Sequence, residues 1–69
     1  MMNSDTQRYF ADLGLRLVQL RTSHGHSQKD AAIAVGVSQQ AMRAYEAGER
    51  RPSILILLKL ASFHQVDFE

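Results

Sequence analysis

The stretch SQKDAAIAVGVSQQAMRAYEAG, residues 27–48, decides the fold. It holds two Ser-Gln openings, at Ser27 and Ser38, with Gly36 between them and Gly48 at the end. Serine is a strong helix N-cap because its hydroxyl accepts a hydrogen bond from an otherwise orphaned backbone N–H. Glycine just past the last helical residue is the usual stop. The spacing therefore predicts two short helices. The first turns Ala31, Ala32 and Val35 inward and stops at Gly36; the second runs through Ala47 to Gly48. The turn Gly36-Val37-Ser38 is tight enough to hold them at a steep angle, with Val35, Val37, Met42 and Tyr45 filling the wedge. Gln39, Gln40, Arg43 and Ala44 then follow the outward spacing i, i+1, i+4, i+5. Such a pair is a helix-turn-helix, whose second helix enters the major groove and touches base edges with its first residues.

Working outward, NSDTQ (3–7) offers Ser4 as an N-cap, Gln7 to complete a capping box and Asp5 in the first turn. Phe10, Leu13, Leu17 and Leu20 recur on one helical face from there, so a first helix runs to about Ser23 and stops near Gly25. On the other side, Pro52 cannot continue the preceding helix, and Ser53 caps a fourth helix reaching about His64. The tail QVDFE is too short to assign. No strand-like alternation, repeat or low-complexity segment is present. The expected architecture is all-α, a compact four- to five-helix domain. Residues 1–12 form an N-terminal extension and the start of helix 1, residues 13–64 the DNA-binding domain, and residues 65–69 a short tail.

Bulk properties agree. Sixty-nine residues make one domain, and a chain of this size buries only about 60% of its unfolded surface. With no cysteine, disulfides and thiolate metal sites are excluded, which fits a reducing compartment. No apolar run approaches the roughly 18 residues of a membrane span, and the N-terminus lacks a secretory signal pattern. A cytoplasmic, DNA-associated domain of bacterial or phage origin, with no membrane contact, is expected. The net charge is only +1. Between Leu13 and His64, however, seven basic residues outnumber Asp30, Glu46 and Glu49, giving 7 − 3 = +4. A locally basic body suits phosphate binding, although solvated surface charge would look the same.

The 54 residues from Leu13 to Val66 resemble the phage-repressor-like (XRE/Cro) helix-turn-helix family. LRLVQLR, the Ser-Gln opening, the Gly-Val-Ser turn, Glu-x-Gly and the Pro-Ser before a Leu-rich helix all coincide at family spacing. Ala31 and His64 stand where the family usually has Leu, and His26 where it is usually apolar. The SQQ start of helix 3 is similar to the glutamine-reading helices of some phage repressors.

These patterns assign candidate roles. A Gln amide at position 39 or 40 can pair bidentately with adenine N6 and N7, worth about 1–3 kcal/mol of discrimination. Arg43, one turn on, suits guanine or a phosphate, and Ala44 completes the reading face. For phosphate, the candidates are Ser27 (equally a plain cap), Gln28, Ser38, and Arg50 and Arg51, which could also be ordinary loop charges. Gln28 opens a helix whose free N–H groups favour an anion, and the resemblance implies a phosphate-binding Gln there. Glu46 lies at the negative end of its helix dipole, so it needs a compensating cation; Arg21 at the end of helix 1 is the natural partner, and the resemblance implies the same pair. His24-x-His26 is two imidazoles without a third ligand, a weak metal signal. No cofactor motif, nucleophile-base pair or carboxylate dyad is present, so neither a metal, a cofactor nor an enzyme is expected.

The segment ILILLKL (54–60) carries more apolar residues than one buried face uses. Assigning Ile54, Leu57, Leu58 and Ala61 to the core leaves Leu55 and Ile56 outward, with Leu15 and Val18 surplus on helix 1 and Phe63 and Phe68 nearby. Exposed apolar patches mark partner surfaces, so Leu55, Ile56, Phe63 and Phe68 are expected to form a homodimer interface. The sequence thus points to a dimeric repressor of double-stranded DNA reading an inverted repeat. The alternative is a protein-binding module, such as an antitoxin that meets a cognate toxin through helix 4.

Overall fold

The computed structural model describes the backbone of residues 4–64 and the side chains of residues 8–64. The Ser4–Asp5–Gln7 capping box, the tail 65–69 and Phe68 lie outside the described side chains. Four helices follow one another: α1 (Ser4–Ser23), α2 (Gln28–Val35), α3 (Gln39–Glu46) and α4 (Ile54–Phe63). The starts of α2, α3 and α4 are written in serine. Ser27 Oγ accepts from the Asp30 amide at 2.9 Å, Ser38 Oγ from Ala41 at 3.0 Å, and Ser53 Oγ from Ile56 at 3.1 Å. α2 ends because Gly36 takes a left-handed φ of 76°, which only glycine adopts without penalty. That turn lets the Val37 amide return to the Ala32 carbonyl at 3.0 Å.

α2 packs on both α3 and α4, while α1 crosses α3. The core is Leu17, Ala31, Ala32, Val35, Ala41, Met42, Tyr45 and Leu60, sealed at its edge by half-buried Val37, Ile56, Leu57 and Phe63. Small residues on α2 permit the close approach: Ala31 is fully buried and Ala32 nearly so. Two glycines do the same for the α1–α3 crossing. A Cβ on Gly14 would overlap the Glu46 carbonyl and lie 2.8 Å from that of Tyr45, and one on Gly48 would lie 2.8 Å from Ala11 Cα. The end of the second motif helix therefore rests backbone against backbone on α1.

α4 is rotated from the expected phase. Ile54 and Leu58, expected in the core, are 76% and 53% exposed, whereas Ile56, expected outward, packs against the core. The inward face is Ile56, Leu57, Leu60, Ala61 and His64. That is one helical stripe at i, i+1, i+4, i+5, i+8, with Lys59 and Ser62 on the opposite side. In a nearly all-apolar run only those two polar residues mark the outer face, and His64 completes the inner stripe where a leucine was the expectation. The outward apolar side chains of α4 are thus Ile54, Leu55 and Leu58, and Phe63 is half-buried against the His26 ring at 4.2 Å. Where α1 and α4 fail to close, a groove of about 360 Å³ is lined by Leu13, Leu17, Leu20, Leu57, Leu60 and Ala61 among others.

Candidate nucleic-acid interface

α3 carries a buried and an exposed side. Ala41, Met42 and Tyr45 face the core; Gln39, Gln40 and Arg43 are exposed, and Ala44 is half-buried between the two. Because Ser38 is the cap, Gln39 and Gln40 occupy the first two helical positions, so their amides leave the helix from its positive end. A shallow polar hollow of about 390 Å³ brings together Ser38, Gln40, Arg43, Ala44, Glu49 and Arg50. Arg50 is returned to this hollow by the turn after α3, where the amides of Glu49 and Arg50 both donate to the Ala44 carbonyl at 2.9 and 3.3 Å. A residue not singled out from the sequence also lies here. The Glu49 carboxylate approaches Arg43 Nη1 at 3.5 Å, both side chains being well exposed, a contact of the kind worth about 0–1 kcal/mol.

The other candidates sit differently. Ser27 Oγ is occupied as acceptor by its cap bond, leaving its hydroxyl proton to donate. Gln28 is half-buried and spends one amide N–H on Glu46 Oε1 at 3.0 Å, so a phosphate would have to use the second. Arg51 is not in the hollow: its guanidinium lies 5.5 Å over the Phe10 ring, a cation–π contact that ties the loop after α3 to α1. Arg21 and Glu46 meet in a bidentate pair, Nε–Oε2 at 2.7 Å and Nη2–Oε1 at 3.1 Å. Arg21 Nη1 also donates to the His26 carbonyl at 3.0 Å. With side chains 15% and 6% exposed, the pair sits at the negative end of α3 and supplies the compensating cation that position requires. The arrangement has a helix start with free donors, two amides, and arginines on one surface.

A family model described as Helix-turn-helix matches residues 17–69. The chain belongs to the phage-repressor-like helix-turn-helix family. Three similar proteins place it further. Over 49 residues it is 39% identical to YonR, a SPbeta prophage-derived uncharacterized HTH-type transcriptional regulator of Bacillus subtilis; this covers 71% of the chain but only 45% of that relative. Over 54 residues it is 37% identical to MJ0272, an uncharacterized HTH-type transcriptional regulator of Methanocaldococcus jannaschii, covering 78% of the chain and 82% of the relative. In structure it resembles the restriction-modification controller protein C.AhdI of Aeromonas hydrophila. The TM-score is 0.83 at 32% identity, covering 87% of this chain and 91% of that one.

Within this helix-turn-helix domain, then, α2 and α3 are the two helices of the motif. The His24 and His26 rings of its H-x-H loop stack 6.1 Å apart. Among the described residues, no group of three or more His, Asp or Glu side chains is placed to hold a metal ion, and no helix is long and apolar enough to cross a membrane.

Proposed function

We propose that this DNA-binding regulator acts as a dimeric repressor that inserts α3 into the major groove of an inverted-repeat operator. The observation that carries the proposal is the exposed start of α3. Gln39 and Gln40 emerge at its first turn, and Arg43 and Arg50 flank the same hollow. Gln39 and Gln40 read base edges, A·T pairs being the geometrically easiest for a Gln amide. Ser27, Gln28, Ser38 and Arg50 hold phosphates and set the register, while Arg51 braces the loop from Phe10. The transcriptional-regulator relatives and the controller protein support a regulatory role. In a two-fold dimer the two copies of α3 lie about 34 Å apart, so half-site centres are ~10 base pairs apart.

The rotated α4 supplies the dimer surface: Ile54, Leu55 and Leu58 form its exposed apolar side. The same side chains favour a second reading, a protein-binding module of the antitoxin kind. Salt separates the two, because DNA binding weakens steeply as salt rises and an apolar protein contact does not.

The experiment is selection from a random duplex library, followed by titration of variants on the winning site. Gln40→Ala should relax preference at one or two positions and leave non-specific affinity nearly intact. Arg50→Ala should weaken all sequences alike and flatten the salt slope by about one. Selection that yields no inverted repeat, or Gln39→Ala and Gln40→Ala proteins that bind the winner as tightly as the parent, would overturn the assignment.

A further inference from the structure

All three histidines of the chain, His24, His26 and His64, stand together. His26 and His64 stack with ring centroids 5.3 Å apart and planes 23° from parallel, and His24 lies 6.1 and 6.2 Å from them. His26 also stacks on Phe63 at 4.2 Å. The three come from two places: the turn between α1 and α2, and the C-terminal end of α4, where His64 is the cap residue and 1% exposed.

The contact between His26 and His64 is unusual in its chemistry. Their Nδ1 atoms are 3.1 Å apart. A hydrogen bond between two such nitrogens needs a proton on one and a lone pair on the other. The contact therefore accommodates one proton. A second would set N–H against N–H, with a positive charge on each ring. His24 is already committed, because its Nδ1 lies 2.9 Å from the Leu20 carbonyl, which can only accept. The charged groups facing His64 come from three elements: His24 and His26 on the α1–α2 turn, Arg21 on α1 and Glu46 on α3. Only Glu46 favours a cation there.

We propose that this stack is a proton-operated latch. With His64 neutral, the Nδ1–Nδ1 contact fastens the end of α4 to the residue just before the α2 cap. A proton on His64 puts a cation on a ring that is 1% exposed, and when His26 is charged as well the two Nδ1–H groups oppose each other and the latch opens. The connection reaches beyond the rings, since the His26 carbonyl accepts from Arg21, Arg21 holds Glu46, and Glu46 accepts from Gln28. Opening the latch therefore loosens α4 first and then the start of α2. Burial above all, with the positive field of His26, His24 and Arg21, holds the His64 pKa below its ordinary value, against a smaller opposing pull from Glu46. The unfolded chain takes up this proton at about pH 6.5 and the folded chain only at lower pH. Between those two values the unfolded state binds more protons, so stability rises with pH. The contribution is complete above about pH 6.5 and is lost as pH falls below it, by up to about tenfold in the folding equilibrium per pH unit.

The latch does not depend on which DNA the domain reads, and it is tested on the whole chain without DNA. Urea unfolding of the parent and of His64→Leu is compared at pH 7.5, 6.5 and 5.5, alongside proton NMR titration of the histidine Cε1–H signals and amide exchange. The folding equilibrium of the parent should fall more than that of His64→Leu between the highest and lowest pH, by up to about tenfold. The His64 signal should titrate below pH 6.5, with the amides of Phe63 and His64 exchanging faster at the same midpoint while those of Ala41–Tyr45 hold. If His64→Leu fails to fold, the NMR titration decides alone. Equal pH dependence in the two proteins, or a His64 signal that titrates at or above pH 6.5, overturns the proposal.

Discussion

Replacing Glu46 by alanine should nearly unfold the domain. The Glu46 side chain is 6% exposed and accepts three hydrogen bonds, two from Arg21 at 2.7 and 3.1 Å and one from Gln28 at 3.0 Å. Alanine removes all three acceptors at once. It strands a guanidinium that is 15% exposed and keeps the His26 carbonyl at 3.0 Å. Hydrogen bonds to charged groups contribute about 1.5–3 kcal/mol each, so losing the two from Arg21 costs about 3–6 kcal/mol. Removing one partner of a buried pair costs about 3–5 kcal/mol by direct comparison. The two routes agree, and either matches the ~3–5 kcal/mol that a core of this size supplies. In a chain this short each kcal/mol moves Tm by about 4–8 °C, so the midpoint should drop by more than ~12 °C. Urea and thermal unfolding followed by far-ultraviolet circular dichroism measure it. Arg21→Met combined with Glu46→Leu should recover much of the loss, because no unpaired charge remains. A Glu46→Ala protein within about 1 kcal/mol of the parent, the range of an exposed ion pair, would refute the reasoning.

Gly14→Ala makes a sharper contrast: alanine is the better helix former by about 1 kcal/mol, yet its methyl meets the Tyr45 and Glu46 carbonyls. Overpacking of this kind costs about 1–3 kcal/mol, so the variant should melt lower than the parent, and a higher Tm would show that the α1–α3 crossing gives way freely. Ile54→Glu with Leu58→Glu, both exposed positions, should leave helicity unchanged and halve the mass seen by light scattering. A parent that is already monomeric at high micromolar concentration would remove the dimer from the proposed function.

Much of this was legible because the chain marks its helix starts with the same chemistry. Ser27, Ser38 and Ser53 each cap the helix expected of them, and Gly36 and Gly48 close the two in between. The Arg21–Glu46 contact could be anticipated from a carboxylate at the wrong end of a dipole. The phase of α4 could not, because ILILLKL gives a 3.6-residue period almost no polar contrast to register against. Nor could the partnership of His26 with His64, 38 residues away, since nothing local links a loop imidazole to a helix end. Gln28 and Arg51 read as free donors, yet one already bonds Glu46 and the other lies over Phe10. Gly14 did leave a trace: a glycine within a helical pattern costs about 1 kcal/mol against alanine, and here that cost is offset where α3 is seated on α1.

On the proposed insertion of α3 into the major groove, its eight residues span about 12 Å at 1.5 Å per residue, and base pairs rise 3.4 Å each, so one copy would face about four of them. Four base pairs have 256 spellings, so a single recognition helix meets its own word by chance roughly once in 256 positions, against the ~10⁶ or more competing sites that even a small genome offers. A second helix on the same duplex squares that number, to about one position in 65,000. Lengthening α3 would not achieve this, because a straight rod soon leaves a groove that curves away beneath it. The short reader therefore fixes a ceiling on what one chain can distinguish. Selectivity for a single address in a genome has to be assembled from several copies of a four-letter word.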